Sequence, residues 1–317
     1  MGSEREAAIS TPSTSGSSPA REAVRRGEIE VSVLDGTGAP FPAASLTFLD
    51  RRTNSDWTRS WSNPTQRMQY IRTRGRTVTA DAAGRLLIPA TDSGALASRT
   101  IGYHGMLEWA TLPAGGLEVV LAAEIDLDVR VLDESGRPRA GVPVVLVRDR
   151  GGAPVPMLRR TSAGAEAVAT FPRIRQLLGG ATASGRHTIT FGFPCLDPPG
   201  IEIDPAALPT ERLDLRMPAT GRLTVRVIDE TGGPLQGTAN VTLGASLDAE
   251  GRPLQYGSTV QRITGGRAVF PFVGVGSRFE LRLDGSRDRP SRKEVAQGPQ
   301  RPGEEKEVVL TWAERHP

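Results

Sequence analysis

The sequence predicts an all-β protein of three tandem, immunoglobulin-like β-sandwiches behind a disordered N-terminal tail. Three observations lead to this prediction. One short phrase occurs three times, at offsets of 98 and 96 residues. Within each copy, apolar and polar residues alternate as they do along a half-buried strand. Long stretches with the apolar spacing of a helix are absent. The period suits a small β-sandwich, which has about 100 residues.

The repeated phrase is an alternating strand followed by a tight turn. Its copies are Glu28–Pro40, Asp126–Pro138 and Arg222–Pro234. Each ends on Asp-x-x-Gly-x-Pro, in which Asp bonds the backbone, Gly takes a positive φ and Pro fixes the exit direction. Because alternate residues of a strand point to the same face, Val31, Val129 and Val225 are predicted core residues.

Further strands follow in the same order in each copy. Those directly after the turn, which we expect to form an antiparallel hairpin with the first strand, are Leu46–Phe48, Val144–Leu146 and Val241–Leu243. Middle strands are predicted at Gly84–Pro89, Ala167–Pro172, His187–Phe191, Gly266–Pro271 and Arg278–Leu283. Closing strands are predicted at Leu117–Leu121, Leu213–Met217 and Val308–Trp312. The best helix candidate is the short stretch Arg173–Leu178.

These patterns predict the domain boundaries. Residues 1–27 contain a stretch rich in Ser, Thr, Pro and Gly, which cannot bury enough apolar surface to stay ordered. The three sandwiches are then expected at residues 28–122, 123–219 and 220–317. The joints between them are only a few residues long, so we expect neighbouring sandwiches to stack semi-rigidly end to end.

The repeated unit resembles the carboxypeptidase regulatory-like domain, a transthyretin-like accessory β-sandwich. The second copy fits best, from Val129 to Leu146, while the first has Ala43-Ala44 where the family usually shows a glycine and the third is displaced by one residue at Asn240. The resemblance covers about 290 residues in three pieces. It implies a fold and carries almost no information about activity.

The charge balance is close to neutral despite a basic isoelectric point. Thirty-nine cations stand against 36 anions, and all the cations but Lys293 and Lys306 are arginine. An excess of arginine over lysine can follow from GC-rich coding alone, so nucleic acid is not favoured as a partner. No stretch reaches the roughly 18 apolar residues of a membrane span, and no leader is visible. A cytoplasmic location and a surface or secreted one, by removal of a leader or a leaderless route, both stay open.

The sequence predicts no enzyme, no cofactor and no metal site. The three histidines, His104, His187 and His316, are scattered, and Walker, dinucleotide-binding and Gly-x-Ser-x-Gly motifs are absent. The single cysteine, Cys195, is expected to be a small buried apolar residue. Two pairs of acidic residues, Asp126 with Asp128 and Asp248 with Glu250, could bind calcium, but the sequence does not favour a metal site at either.

One segment, residues 51–76, differs from the matching segments of the other copies. It holds seven arginines against one aspartate, together with three of the protein's seven Trp and Tyr residues. Trp and Arg are typical interface anchors, so a binding surface for a protein, a glycan or an anion is predicted here. Its candidate residues are Trp57, Arg59, Trp61, Tyr70 and Arg72. The alternative is an ordinary hairpin whose tryptophans face the core while the arginines extend to solvent.

The sequence therefore favours a non-catalytic bacterial protein that serves as a scaffold, a spacer or a protein-interaction module. Two alternatives stay open: a glycan- or anion-binding protein that uses the first sandwich, and an accessory subunit of an enzyme encoded elsewhere. The oligomeric state is not predicted.

Overall fold

In a computed structural model of the chain, the described residues fall into eight stretches. These are 27–54, 64–113, 116–149, 154–178, 185–235, 239–254, 258–284 and 291–312. The chain divides into two compact units, Met1–Ala123 and Glu124–Pro317. The predicted N-terminal tail lies outside the described residues, except for Gly27.

The first unit contains one β-sandwich. One sheet has the strand order β4-β1-β8-β6 and the other β3-β2-β5-β7. Its strands are β1 (Glu28–Asp35), β2 (Ser45–Asp50), β3 (Arg76–Thr79), β4 (Arg85–Pro89), β5 (Gly94–Ser98), β6 (Tyr103–His104), β7 (Met106–Trp109) and β8 (Leu117–Ala123). A helix, α1 (Pro64–Arg74), separates β2 from β3.

The second unit contains two further sandwiches. The second sandwich pairs the sheets β12-β9-β15 and β11-β10-β13-β14. Its elements are β9 (Leu127–Leu132), β10 (Pro143–Asp149), β11 (Pro154–Thr161), β12 (Val168–Phe171), α2 (Ile174–Leu178), β13 (Arg186–Phe191), β14 (Gly200–Ile203) and β15 (Leu213–Arg216).

The third sandwich repeats this plan with the sheets β19-β16-β22 and β18-β17-β20-β21. Its strands are β16 (Thr220–Ile228), β17 (Asn240–Ser246), β18 (Thr259–Arg262), β19 (Arg267–Gly274), β20 (Arg278–Leu283), β21 (Arg292–Gln297) and β22 (Glu305–Thr311). The predicted fold class, an all-β chain of tandem sandwiches, is confirmed. The residue boundaries between the sandwiches stay a prediction.

The three sandwiches share one topology. In each, the first strand (β1, β9 or β16) pairs antiparallel with a middle strand and parallel with the closing strand. The hairpin predicted between the first and second strands is wrong, since these strands lie in different sheets. The first ladder stops at an isolated bridge to the turn proline, such as Leu132 to Pro138. Because proline has no N–H to continue the ladder, the chain crosses to the other sheet there.

The repeated turn is organised by its aspartate. Asp133 Oδ1 accepts hydrogen bonds from the backbone amides of Ser135 (2.9 Å) and Arg137 (3.0 Å) and from the Ser135 hydroxyl (2.6 Å). Gly136 supplies the left-handed backbone, with φ of 81°. The Ser135 hydroxyl, followed by the Arg137 amide, lowers the pKa of Asp133 to about 2. Asp35 and Asp229 make the same bonds, so the phrase is a folding motif.

Each sandwich has its own apolar core between its two sheets. The predicted core residues Val31, Val129 and Val225 are fully buried, one in each core. Full burial of a valine side chain stabilises a fold by roughly 1.5 kcal/mol or more. The alternating pattern therefore identified both the strands and the faces that they bury.

Helix α1 was not predicted from the sequence. It lies on the outer face of β2 and β5, where Met68 and Ile71 pack against Leu49, Ala95 and Ala97. Only these two helix residues with described side chains are fully buried, so the apolar spacing is too sparse to reveal an amphipathic helix. The predicted short helix at residues 173–178 is confirmed as α2.

Candidate functional site

The predicted binding surface of the first sandwich falls partly on α1. Tyr70 and Arg72 lie on this helix and are half-buried, and Tyr70 packs against the small cluster that joins the helix to the sheet. Trp57, Arg59 and Trp61 lie outside the described residues. Both residues are therefore helical and do not belong to the hairpin that was the alternative prediction.

The arginines of α1 tie the helix to the sheet beneath it. Arg72 Nε donates a 2.8 Å hydrogen bond to the carbonyl oxygen of Ser98. Arg67 Nη1 lies 3.1 Å from Glu108 Oε1 on β7. Arg99 Nη1 in turn donates to the Arg72 carbonyl at the end of the helix, at 3.3 Å. These contacts have a structural role, and the five-residue binding surface stays a prediction.

The nucleophile and the histidines that could carry chemistry are buried. Burial, with a smaller contribution from Asp197, raises the pKa of the Cys195 thiol to about 12, so the reactive thiolate is scarce at neutral pH. His187 is fully buried and His104 nearly so, in different sandwiches, while His316 lies outside the described residues. Within the described stretches, no group of three or more His, Cys, Asp and Glu side chains could hold a metal ion.

The acidic pairs considered as calcium ligands are engaged within the fold. Asp126 accepts a hydrogen bond from the Arg173 amide (2.9 Å), and Asp128 accepts one from the Thr170 hydroxyl (2.7 Å). Asp248 accepts bonds from the amide and from Nε of Arg252, both at 2.8 Å. These carboxylates stabilise turns and strand pairs.

The side chain of Phe272 joins the second and third sandwiches, and this contact was not predicted from the sequence. Phe272, at the end of β19 in the third sandwich, belongs to the core cluster of the second and is 7% exposed. Its ring centroid lies 6.1 Å from that of Phe193, and the Arg139 guanidinium lies 5.8 Å from it on another side. Cys195 and Met217 belong to the same cluster. One aromatic side chain thus connects two cores.

The backbones at this joint pack without space for extra atoms. The amide of Gly274 donates a 2.8 Å hydrogen bond to the Pro194 carbonyl. A Cβ atom on Gly274 would lie 2.5 Å from that of Cys195, so only glycine permits this approach. The amide of Val275 donates to the Ala219 carbonyl at 3.0 Å. Arg159 also donates to the Ser258 carbonyl across the same two sandwiches.

A cleft of about 690 Å³ opens beside the joint. The repeated turn of the second sandwich forms one wall, and Gly221, Arg222 and Glu305 lie on the other. Each wall contains one ion pair, with Arg222 Nη1 3.3 Å from Glu305 Oε1 and Arg137 Nε 3.4 Å from Asp133 Oδ2. The cleft is bounded by the two sandwiches that Phe272 holds together.

The sequence contained a signal for this joint. Aligned on the proline that ends the middle strand, Phe272 of the third copy corresponds to Ala90 in the first and Arg173 in the second. The other copies have no aromatic residue at this position, so the core of the third sandwich does not account for Phe272. Such apolar residues often mark a contact outside their own domain.

Comparisons with known proteins find only solved structures of low similarity. No family model and no curated protein matches the chain, so the carboxypeptidase regulatory-like family stays a prediction. Solved structures similar to it include the Bacillus anthracis TIE protein, at 11% identity and a TM-score of 0.25 over 90% of this chain and 51% of that one. A streptococcal ancillary pilin matches at 11% identity and a TM-score of 0.22, over 91% of this chain and 99% of that one.

The major pilin subunit BcpA of Bacillus cereus matches at 10% identity and a TM-score of 0.23, over 91% of this chain and 99% of that one. The chain spans about half the length of the Bacillus anthracis protein. Neither described helix is long and apolar enough to cross a membrane.

Proposed function

We propose that the chain is a non-catalytic scaffold or spacer made of tandem β-sandwiches, which holds interaction surfaces at fixed separations. The observation that carries this proposal is the burial of Phe272 in the core of the neighbouring sandwich. A flexible string of domains needs no such residue, whereas a spacer of defined geometry does. Interfaces between domains of one chain otherwise permit relative motion unless they are large and apolar.

The state of the reactive side chains supports a non-catalytic role. The Cys195 thiol has a pKa far from neutrality, and His187 lies in the core of the second sandwich. Catalysis requires a nucleophile or base with a matched pKa and access to substrate. Neither side chain provides this, and Glu108, the acidic residue nearest in sequence to His104, is paired with Arg67.

The proposal is tested by measuring the separation of the second and third sandwiches. Spin labels at Thr161→Cys and Val295→Cys, both exposed positions, report this distance in the full chain by pulsed electron paramagnetic resonance. The buried Cys195 thiol should stay unlabelled because its pKa is raised.

We expect one narrow distance distribution in the wild-type background and a broad one after Phe272→Ala. A broad distribution in the wild-type background would overturn the spacer proposal. The glycan- or anion-binding alternative rests mainly on Trp57, Arg59 and Trp61 and stays a prediction.

A further inference from the structure

The outer face of the sheet β4-β1-β8-β6 in the first sandwich carries unpaired acidic side chains. Glu28 and Glu30 alternate with core residues along β1, and Glu118 is exposed on β8. Across the described part of the chain, none of these three carboxylates forms an ion pair. The one arginine of this face, Arg85, lies 3.6 Å from Asp81 in its own turn. The face therefore has a net negative charge.

The other two sandwiches neutralise the equivalent face. In the second sandwich, Arg130 lies opposite Asp214 and makes two hydrogen bonds to its carboxylate, both of 2.8 Å. In the third, Arg226 Nε lies 3.6 Å from Glu307. The first sandwich has Ser32 at the position of these arginines, directly opposite Glu118. Relative to the second sandwich, the first keeps the carboxylate and loses its arginine partner, so its acidic face has unused capacity for a cation.

Aliphatic side chains accompany the acidic ones. Leu87 lies opposite Glu30 in the strand register and is 47% exposed, and Val120 is exposed to the same extent. Val120 takes the position that the second sandwich gives to Arg216. These two side chains add exposed apolar area to the acidic face.

Cationic groups that match this face lie around helix α1 and the edge strand β3 of the other sheet. Arg74 ends α1, Arg76 begins β3, and Arg99 donates to the helix through the Arg72 carbonyl. All three are exposed. None forms an ion pair with a carboxylate anywhere in the described stretches, and the Arg76 guanidinium lies 5.5 Å from the ring centroid of Phe48.

We propose that the acidic face of one copy of the chain binds the Arg74–Arg76–Arg99 group of a second copy. This inference rests on the proposed scaffold function and names its partner. The two surfaces are different and belong to different sheets of the first sandwich, so the contact is head-to-tail and can add further copies in a row.

The small area of the acidic face limits the affinity of the contact. An eight-residue strand is about 26 Å long, and four strands are about 14 Å across. The resulting area, roughly 400 Å², is about half of one side of a standard interface. Association should therefore be weak and, because exposed charges dominate it, sensitive to salt.

Sedimentation velocity of the full chain tests the proposal. Wild type should associate with increasing concentration at about 50 mM salt and be monomeric at about 500 mM salt. The acidic-reversed variant Glu30→Lys/Glu118→Lys and the basic-reversed variant Arg74→Glu/Arg76→Glu should each lose at least about tenfold in self-association. The matched control Glu166→Lys/Glu202→Lys has the same net charge as the acidic-reversed variant and changes exposed carboxylates of the second sandwich. It should associate like wild type.

Mixing the two reversed variants gives the sharpest result. Each keeps one intact surface, and the two reversed surfaces are again of opposite charge, so an equimolar mixture should recover the association that each variant lacks alone. A monomeric wild type at low salt, an equal loss in the control, or a mixture without dimers would overturn the proposal. If the basic reversal impairs folding, as judged by circular dichroism, Arg74→Gln/Arg76→Gln replaces it. None of these outcomes affects the spin-label distance, so the scaffold function is tested separately.

Discussion

In the second sandwich, a buried histidine lies next to a buried arginine, and this position lowers the pKa of the histidine. His187 on β13 lies opposite Arg148 on β10, and both side chains point to the interior side of the sheet. Burial, and then the charge of Arg148, lowers the pKa of His187 to about 4. The imidazole is therefore neutral in the folded state at neutral pH.

This pKa predicts a loss of stability in mild acid. The unfolded chain, with a histidine pKa of 6.5, binds more protons than the folded chain between pH 6.5 and about pH 4. The free energy of unfolding should fall as the pH decreases through this window, by up to about 3 kcal/mol. Urea denaturation of the full chain at several pH values measures it.

The variant His187→Leu provides the control for that titration. It should remove most of the pH dependence between pH 6.5 and 4 while leaving the dependence below pH 4, where the turn aspartates titrate. An unchanged slope in the variant would show that other groups cause the effect.

The turn motif was predicted at its three repeated copies and missed at a further one, Asp248–Pro253. Asp248 begins another turn of this kind, since Gly251 has φ of 83° and its amide donates to the Asp248 carbonyl. The sequence Asp248-Ala-Glu-Gly-Arg-Pro253 matches the repeated phrase. The sequence alone also suggests a calcium site here, because carboxylate oxygens bind metal ions and backbone amides alike and only the neighbouring amides distinguish the two.

Helix α1 is held against its sheet by a close backbone contact. Gly75 follows the helix, and its amide donates a 2.9 Å hydrogen bond to the Ile71 carbonyl. A Cβ atom on Gly75 would lie 2.4 Å from the Phe48 carbonyl oxygen and 2.5 Å from a methyl group of Thr47. The close packing of α1 against β2 therefore requires a residue without a side chain at position 75.

Gly75→Ala should destabilise the first sandwich by about 1–3 kcal/mol, because the added methyl group forces the helix away from β2. Thermal unfolding of the full chain measures this effect. Gly36→Ala is the matched control, since Gly36 has open space around its Cβ position and no left-handed φ. Equal stability of both variants would contradict the close contact.

Strands were easier to predict than their connections. Alternation identified β1, β9 and β16 because one face of each is buried and the other is wet. The sheet to which the next strand belongs depends on contacts far along the chain, so the predicted hairpin failed. Helix α1 was not predicted for a related reason. Its two buried residues, Met68 and Ile71, pack against strands that are distant in sequence, and two apolar residues give no helical pattern.

At the scale of the molecule, the domain boundaries lead to a prediction about core substitutions. Val31→Asp, Val129→Asp and Val225→Asp each place an unpaired charge in an apolar core, which costs several kcal/mol. Val31→Asp should unfold the first sandwich alone. Val129→Asp and Val225→Asp should each destabilise both sandwiches of residues 124–317, because these share the Phe272 contact.

Hydrogen exchange with mass spectrometry resolves which residues lose protection in each variant. Protection lost across all three sandwiches in Val31→Asp would contradict the predicted division at residues 122–123. Loss confined to residues 123–219 in Val129→Asp would show that the second and third sandwiches are independent.

The short joints predicted semi-rigid stacking, but the residue that fixes one joint could not be derived from local patterns. Phe272 lies in strand β19, whose other apolar residues, such as Phe270, belong to the core of their own sandwich. Its partners Phe193 and Met217 are distant in sequence and belong to another repeat. Pattern analysis assigns a residue to a face of its own sheet and gives no information about a neighbouring domain.

Differential scanning calorimetry of Phe272→Ala tests most directly whether the Phe272 side chain makes the second and third sandwiches unfold as one cooperative unit. Wild type should unfold residues 124–317 in a single transition, and Phe272→Ala, which removes about 3–5 kcal/mol of packing, should split it into two. Phe270→Ala, a fully buried phenylalanine of the third sandwich's own core, should lower the transition temperature without splitting it. An unsplit transition in Phe272→Ala, or separate transitions already in wild type, would contradict the account.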